Sequence, residues 1–282
     1  MADSTGGSEL FQGLPSVCTV LPGGDSLRVL LHGAQVVSWV AGGRERLFLS
    51  SRSKFDGRAA IRGGVPVCFP QFNQRGPLPK HGFARNLLWQ LTREPELLGE
   101  HARVSLRLTD SATTRALWPQ GFEANLTLDL QPGQLQLSLA VTNTDAAPLA
   151  FTGALHTYLA VDDIAQVQLQ GLQGQTEWDA LTDQHRPAAS TLRFAGEFDR
   201  VYEAAPEPLR LQDGSSALWI AQSASWAQTV VWNPGAEKGA ALADMPPDGY
   251  QHMLCVEAAQ VMQPITLAPG ASWLGWQRLR VA

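Results

Sequence analysis

Short stretches in which apolar and polar residues alternate run through much of this sequence, and they restrict its fold more than any other feature. QLQLSLAVT at 134–142 puts three leucines and Val141 on one face of an extended chain, with polar or small residues on the other. ARVSLRLT at 102–109 and NLTLDL at 125–130 alternate in the same way. Each stretch therefore predicts a half-buried β-strand.

Further predicted strands, separated by turns, extend the pattern along the chain. Strand-like stretches lie at 27–31, 36–40, 87–91, 209–211, 217–221, 228–232, 253–257 and 272–281. Turn signals rich in glycine and proline lie at 22–25, 131–134, 212–215 and 268–271. One short helix is predicted at 112–118, and no long stretch has the 3.6-residue period of an amphipathic helix. The pattern predicts an all-β protein, a large antiparallel sandwich or barrel with few short helices.

Composition limits the classes of function. The 282 residues carry a net charge of −5, which argues against a nucleic-acid binder. The three cysteines are far apart and fit neither a disulfide framework nor a zinc site, and the N-terminus lacks a signal-peptide pattern. No apolar stretch approaches the ~20 residues of a membrane span. We expect a soluble cytoplasmic protein, with a flexible segment at 1–15 and a single domain at 16–282.

One loop-like stretch collects cationic side chains. IRGGVPVCFPQFNQRGPLPKHGFAR at 61–85 begins beside Arg62, ends with Arg85 and contains Arg75 and Lys80 between many glycines and prolines. Such glycine and proline content fixes an irregular backbone, and fixed loops commonly carry function. Guanidinium groups on a rigid loop suit an oxygen-rich, anionic ligand. The alternative is a structural loop whose arginines are solvated.

Two ionisable residues lie in apolar stretches. His156, in GALHTYLAV, would share a strand face with Tyr158, either as a core histidine or as a general acid. Glu257, in HMLCVEAA, would share a face with Met253 and Cys255. Because burying an unpaired ion is costly, Glu257 is either salt-bridged or a catalytic base in a cleft.

Two further candidate site residues, Asp199 and His81, could instead be ordinary surface or loop residues. Asp199 begins DRVY, a pattern also typical of a surface ion pair or turn. His81 lies four residues before Arg85, so one helical turn would put both on the same side, although a solvated loop histidine fits as well. The six histidines show no metal-ligand spacing, and there is no phosphate loop, dinucleotide fingerprint or hydrolase elbow. We therefore expect no metal and no cofactor.

Six long motifs occur in order along nearly the whole chain. They are IRGGVPVCFPQF, LPKHGFARN, GALHTYLAVDDI, FDRVY, VVWNPGAEKGAALADMPPDGYQHMLCVEAA and LAPGASWLGWQRL. Together they resemble the glucose-6-phosphate 1-epimerase (hexose-6-phosphate mutarotase) family of the galactose-mutarotase-like superfamily. The resemblance implies a β-supersandwich and cofactor-free interconversion of the α and β anomers of a 6-phosphorylated aldohexose.

The resemblance also implies roles for individual residues. His156 and Glu257 become the catalytic pair. The substrate-binding residues become His81, Asp199, Arg62 and Arg85, the two arginines near the phosphate. Lys80 stands where the family has a small or amide residue, and we interpret it, with Arg75, as a further phosphate contact.

Ring opening needs a proton removed from the C1 hydroxyl and another delivered to the ring oxygen. We assign removal to ionised Glu257 and delivery to protonated His156, from separate strands on opposite sides of the reacting unit. A glycoside hydrolase or lyase is one alternative, with Glu257 and Asp199 as its two carboxyls. A non-catalytic sugar-phosphate binder or sensor is another, but it has no need of both His156 and Glu257. We expect a monomer that binds a hexose 6-phosphate and neither nucleic acid nor membrane.

Overall fold

The computed structural model describes residues 7–282, and β-strands make up most of it. The first eleven are β1 Gly7–Phe11, β2 Leu14–Val20, β3 Ser26–Leu30, β4 Val36–Ala41, β5 Arg44–Glu45, β6 Val67–Cys68, β7 Gln90–Leu98, β8 His101–Thr109, β9 Phe122–Gln131, β10 Gln134–Asn143 and β11 Leu149–Leu155. The others are β12 Tyr158–Ala160, β13 Gln168–Gln170, β14 Thr176–Asp179, β15 Gln184–Pro187, β16 Thr191–Leu192, β17 Phe198–Glu203, β18 Leu209–Asp213, β19 Ser216–Gln222, β20 Gln228–Asn233, β21 Met253–Leu267 and β22 Ser272–Val281.

Helices are few and short. The α-helices are α1 Ala112–Leu117 and α2 Gly235–Ala241, and single 3₁₀ turns lie at Ala84–Asn86, Ile164–Gln166 and Gly249–His252. The α1 helix starts where predicted because Ser111 and Thr114 cap its N-terminus reciprocally. None of the helices described in residues 7–282 is long and apolar enough to span a membrane.

The strands form three sheets. One has five strands in sequential order, β1 to β5. A nine-stranded sheet has the order β16-β13-β18-β19-β22-β10-β9-β8-β7, and an eight-stranded sheet runs β15-β14-β17-β20-β21-β11-β6, with β12 also paired to β21. The pairs between the named strands are antiparallel. The predicted all-β fold, a large antiparallel sandwich with few short helices, is confirmed.

The main core lies between the two large sheets. In β9 and β10 every second residue is buried, as the alternating sequence predicts. Their leucines share one apolar cluster with Leu254, Val256 and Ala258 of β21 in the opposite sheet. A polar link also joins the sheets, because the Gln277 side chain donates to the Val256 carbonyl oxygen at 2.9 Å.

Strand β21 is buried on both faces along its first half. The residues alternating with Leu254 and Val256, namely Met253, Cys255 and Glu257, point to the side opposite the main core. Glu257 therefore lies in the middle of the eight-stranded sheet, on the face that carries the cleft described below. The expected shared face of Met253, Cys255 and Glu257 is confirmed.

Several predicted elements need correction. The strand expected at 87–91 instead runs from Gln90 to Leu98 at the edge of the nine-stranded sheet, where Pro95 and two register shifts are tolerated. The helix α2 and the short strands β13 to β17 are not evident in the sequence pattern. Of the segment expected at 1–15, residues 1–6 lie outside the described part of the chain, and Gly7–Phe11 pairs with β2.

Candidate active site

The backbone of the 61–85 loop is fixed by close approaches that only glycine permits. Gly63 and Gly64 have φ angles of 114° and 61°, and a Cβ on either residue would collide with a carbonyl oxygen of a neighbouring segment. His81 has a φ of 65°, which is uncommon for a residue other than glycine. The loop is thus built to hold its side chains in one arrangement.

This loop and the eight-stranded sheet enclose a cleft of about 350 Å³, within the usual range for small-molecule sites. Seven of the eight predicted site residues line it: Arg62, Lys80, His81, Arg85, His156, Asp199 and Glu257. Arg75 is not among them. Its guanidinium lies over the Trp178 ring at 5.2 Å, and a phosphate contact from Arg75 stays a prediction.

Strand register brings the predicted catalytic pair together. Leu155, the last residue of β11, pairs with Ala258 of β21, so the following residue, His156, lies next to Glu257 across the strand pair. His156 Nε2 and Glu257 Oε1 are 3.4 Å apart. This is longer than an ordinary hydrogen bond. The other atoms, His156 Nδ1 and Glu257 Oε2, are buried and have no hydrogen-bond partner.

Burial pushes both members of this pair towards their neutral forms. Desolvation raises the pKa of Glu257 well above its ordinary value, and nearby Asp199 adds to the effect. Desolvation also lowers the pKa of His156, helped by the positive charge of Arg85 and Arg62. The cleft without ligand therefore favours a protonated Glu257 and a neutral His156, the reverse of the charge states in the expected mechanism.

His81 is held as a hydrogen-bond donor. The Asn73 backbone N–H donates to His81 Nδ1 at 3.2 Å, and the His81 backbone N–H donates to the Asn73 carbonyl oxygen at 2.9 Å. Burial, with the charges of Arg85 and Lys80, lowers the pKa of His81 to about 3. A neutral imidazole that accepts at Nδ1 carries its proton on Nε2. No helical turn joins His81 to Arg85, since the 3₁₀ turn begins at Ala84, yet both reach the cleft.

Arg62 is clamped from two sides. Its Nε and Nη2 donate to Asp244 Oδ1 at 3.2 and 3.0 Å, and its Nη1 donates to the Tyr158 hydroxyl oxygen at 3.2 Å. A guanidinium has five N–H donors. Three are engaged here, so one on each terminal nitrogen remains for a ligand. Tyr158 in turn stacks on the His156 ring, with centroids 4.8 Å apart.

The remaining cations lie along the same wall. Arg85 Nη2 donates to the Lys80 carbonyl oxygen at 2.9 Å, and Arg85 Nε is buried without a partner. Desolvation and the neighbouring Arg85 lower the pKa of Lys80. Lys238 of α2 also lines the cleft and forms an ion pair with Glu197. Four cationic side chains therefore face the same cavity as the buried His156–Glu257 pair.

Asp199 also lines the cleft. In β17 it pairs in register with Trp232 of β20, which pairs with Cys255 of β21, so the three lie in one row across the sheet. Burial raises the pKa of Asp199. Asp244 and Lys238 were not among the residues predicted from the sequence. Both lie within the long motif at 230–259, but nothing in that motif marks their approach to the 61–85 loop.

One group of potential metal ligands occurs among residues 7–282. One donor atom each from His156, Cys255 and Glu257 lies within 4.8 Å of the others. The group overlaps the catalytic pair, and Cys255 is packed behind it against Tyr158, Met245 and Met253.

Comparison with known proteins adds a second line of evidence. A protein-family model described as aldose 1-epimerase matches residues 20–280. The chain belongs to the aldose 1-epimerase family. It is therefore an epimerase, an enzyme of the isomerase class that acts on sugars, which confirms the resemblance seen in the motifs.

Individual relatives agree with this assignment. A protein of Cenchrus ciliaris named "Putative glucose-6-phosphate 1-epimerase" is 39% identical over 258 residues, covering 88% of this chain and 78% of the relative. A crystal structure from Salmonella typhimurium, described as a "putative mutarotase", is 28% identical with a TM-score of 0.90 and covers 98% of this chain and 93% of its own. A galactose mutarotase related enzyme from Lactobacillus acidophilus is 13% identical with a TM-score of 0.74, over 99% of this chain and 97% of its own. The last shows the fold alone, and the predicted galactose-mutarotase-like fold is confirmed.

Proposed function

We propose that this epimerase interconverts the α and β anomers of an aldohexose 6-phosphate. The single observation that carries the proposal is the composition of one cleft. The buried His156–Glu257 pair, which can move protons, shares about 350 Å³ with Arg62, Lys80 and Arg85, which can bind a phosphate. The name of the Cenchrus ciliaris relative supports the same substrate class.

The reaction needs one proton removed and one delivered at neighbouring oxygens. Opening the ring takes the proton from the C1 hydroxyl and protonates the ring oxygen, and closure on the other face of C1 reverses both transfers. Both oxygens are bonded to C1, so an acid and a base that lie side by side can serve them. The expectation that the two groups lie on opposite sides of the reacting unit is therefore corrected. Each transfer contributes ~10² to 10⁴ in rate. The 3.4 Å separation of His156 Nε2 and Glu257 Oε1 suits this requirement.

The pair acts as a unit that holds one proton. In the cleft without ligand this proton resides on Glu257, given the directions of the two pKa shifts. A phosphate dianion bound beside Arg62 and Arg85 would offset the charges of these two residues, which add to desolvation in lowering the pKa of His156. Binding of the phosphorylated sugar therefore favours transfer of the shared proton to His156. Glu257 is then the base and His156 the acid, as the mechanism requires.

The other polar side chains position the sugar. The two uncommitted N–H groups of Arg62 and the remaining donors of Arg85 match the oxygens of a phosphate, with Lys80 beside them. His81, with its proton on Nε2, donates to the ring oxygen or a neighbouring hydroxyl. Asp199, which also lines the cleft, accepts from sugar hydroxyls. Trp232 lines the same cleft and offers a ring for the C–H face of the sugar.

We propose that a monomer is active. We also propose that the protein works in the cytoplasm as a single domain over residues 16–282.

The test is NMR magnetisation exchange between the α and β anomers of glucose 6-phosphate, with and without protein. Exchange that scales with protein concentration supports the proposal. Binding without exchange would instead indicate a sugar-phosphate sensor. Release of free sugar from an aryl glycoside, again without exchange, would indicate a glycoside hydrolase.

A further inference from the structure

A thiol lies directly behind the proposed acid–base pair. Cys255 and Glu257 are two residues apart on β21 and share one strand face. His156, which directly follows β11, lies beside Glu257. Their three donor atoms lie within 4.8 Å of one another. The combination of sulfur, imidazole nitrogen and carboxylate oxygen is the donor set that zinc accepts.

The distances suit a tetrahedral ion. With zinc bond lengths of about 2.0–2.3 Å, the donors around a tetrahedral ion lie roughly 3.3–3.8 Å apart. The observed separation of His156 Nε2 and Glu257 Oε1, 3.4 Å, already falls in this range. The Cys255 sulfur lies within 4.8 Å of the other two donor atoms, so it would have to move by no more than about 1 Å to reach this range.

A second observation at the same place concerns the hydrogen bonding of the Glu257 carboxylate. Among the described residues, Glu257 Oε2 has no hydrogen-bond partner although it is buried, and the Glu257 side chain is only 1% exposed. Buried polar atoms in this state gain from any group that satisfies them. His156 and Glu257 both line the cleft, so water can reach an ion that they hold.

We propose that His156, Cys255 and Glu257 form a site for Zn²⁺ and chemically similar divalent ions, and that occupation of this site blocks the acid–base pair. Binding releases the proton of the Cys255 thiol and the proton shared by the other two, and the metal takes their place. Magnesium and calcium do not suit this set of donor atoms, because both ions prefer oxygen ligands. The nearby cations Arg62 and Arg85 oppose the metal, so we expect affinity on the order of micromolar rather than that of a structural zinc site.

Cobalt provides the direct test, because a thiolate bound to Co²⁺ absorbs in the near ultraviolet and a tetrahedral ion absorbs in the visible. The untagged protein is titrated with Co²⁺ in the absence of sugar, so this result does not depend on the proposed activity. We expect both bands, and we expect Zn²⁺ to remove them. Binding without the sulfur band, or no binding at all up to millimolar metal, would overturn the proposal.

Variants provide the second arm. Cys255→Ser should retain anomer exchange, lose the sulfur band and bind Zn²⁺ at least about tenfold more weakly, since even second-shell changes cost that much. Cys68→Ser is the matched control, because Cys68 is equally buried in β6 of the same sheet and is outside the group of three. It should behave as the wild type. Equal inhibition of anomer exchange by Zn²⁺ in the wild type and in Cys255→Ser would overturn the proposal. If Cys255→Ser fails to fold, Cys255→Ala takes its place in both measurements.

Discussion

Two buried glutamates of the same sheet have opposite surroundings. Glu177 in β14 contacts two guanidiniums, Arg186 at 2.7 Å and Arg200 at 3.4 Å. Among residues 7–282, the only charged or ionisable partner of Glu257 in β21 is an imidazole at 3.4 Å, and its second oxygen has no hydrogen-bond partner. Both side chains are almost fully buried, at 4% and 1% exposure. The cost of burying a carboxylate is therefore offset by two positive charges at Glu177, whereas no such charges offset it at Glu257.

The difference separates a structural carboxylate from a functional one. A buried carboxylate with guanidinium partners on neighbouring strands links those strands. One without such partners is destabilised in its charged form, and proteins keep such groups mainly where chemistry needs them. Substitutions at the two ends of the sheet should accordingly have opposite consequences for activity and stability.

The largest effect is expected from Glu257→Gln. Loss of the base should reduce the anomer exchange rate by at least about 10²-fold. The same change should raise the thermal unfolding temperature at neutral and alkaline pH. Because the folded-state pKa of Glu257 is raised, its favourable contribution is present below the ordinary pKa of 4.5 and is lost as pH rises through the folded-state value. Glutamine does not ionise, so it avoids this loss.

Calorimetry across a pH series checks the stability part of this prediction. The difference in unfolding temperature between the variant and the wild type should shrink towards pH 4. A variant that keeps near-normal exchange, or that is less stable than the wild type at pH 8, would contradict the description of Glu257.

The second effect concerns the cationic wall. Arg85→Ala should raise KM for glucose 6-phosphate by about 10- to 100-fold, which corresponds to one or two charge-assisted hydrogen bonds. KM for unphosphorylated glucose should change little. Saturation curves for both sugars provide the measurement, and an equal rise for the two would remove the phosphate role of Arg85.

At the other end of the sheet, Glu177→Gln should cost about 1–3 kcal/mol of unfolding free energy, because Arg186 and Arg200 lose a carboxylate partner. Anomer exchange should remain normal at a temperature where the variant is folded. Denaturant unfolding measured beside the exchange rate checks both statements. A loss of activity in the folded variant would erase the contrast between the two glutamates.

The smallest effects distinguish two ion pairs. Asp244→Asn loosens the clamp on Arg62 and should raise KM for the phosphorylated sugar about 3- to 10-fold, with kcat nearly unchanged. Asp129→Asn breaks the exposed pair with Arg103 on the nine-stranded sheet and should cost less than about 1 kcal/mol, with no kinetic effect. Steady-state kinetics and unfolding curves of both variants test this comparison. If Asp129→Asn raised KM as much as Asp244→Asn, the effect of Asp244 could not be ascribed to its place in the cleft.

Much of this molecule follows from local sequence pattern. Strict alternation at 125–130 and 134–142 predicted two central strands, and the glycine-rich 61–85 loop predicted where the cations gather. What the pattern could not predict depends on register and on distant contacts. The proximity of His156 and Glu257 follows from the pairing of Leu155 with Ala258, and Asp244 reaches Arg62 across 182 positions of sequence. Arg75 shows the converse, since a basic loop residue can face away from the cleft that its neighbours line.

Selectivity for the phosphate tests the central claim most directly, because that claim joins phosphate binding and ring opening in one cleft. The measurement is the ratio of kcat/KM for glucose 6-phosphate and glucose, both from NMR anomer exchange with the same preparation of wild-type protein. We expect the phosphorylated sugar to be preferred by at least about tenfold, the value of one charge-assisted hydrogen bond at roughly 1.5 kcal/mol. Equal values for the two sugars would contradict the account and make the protein an epimerase of unphosphorylated aldoses.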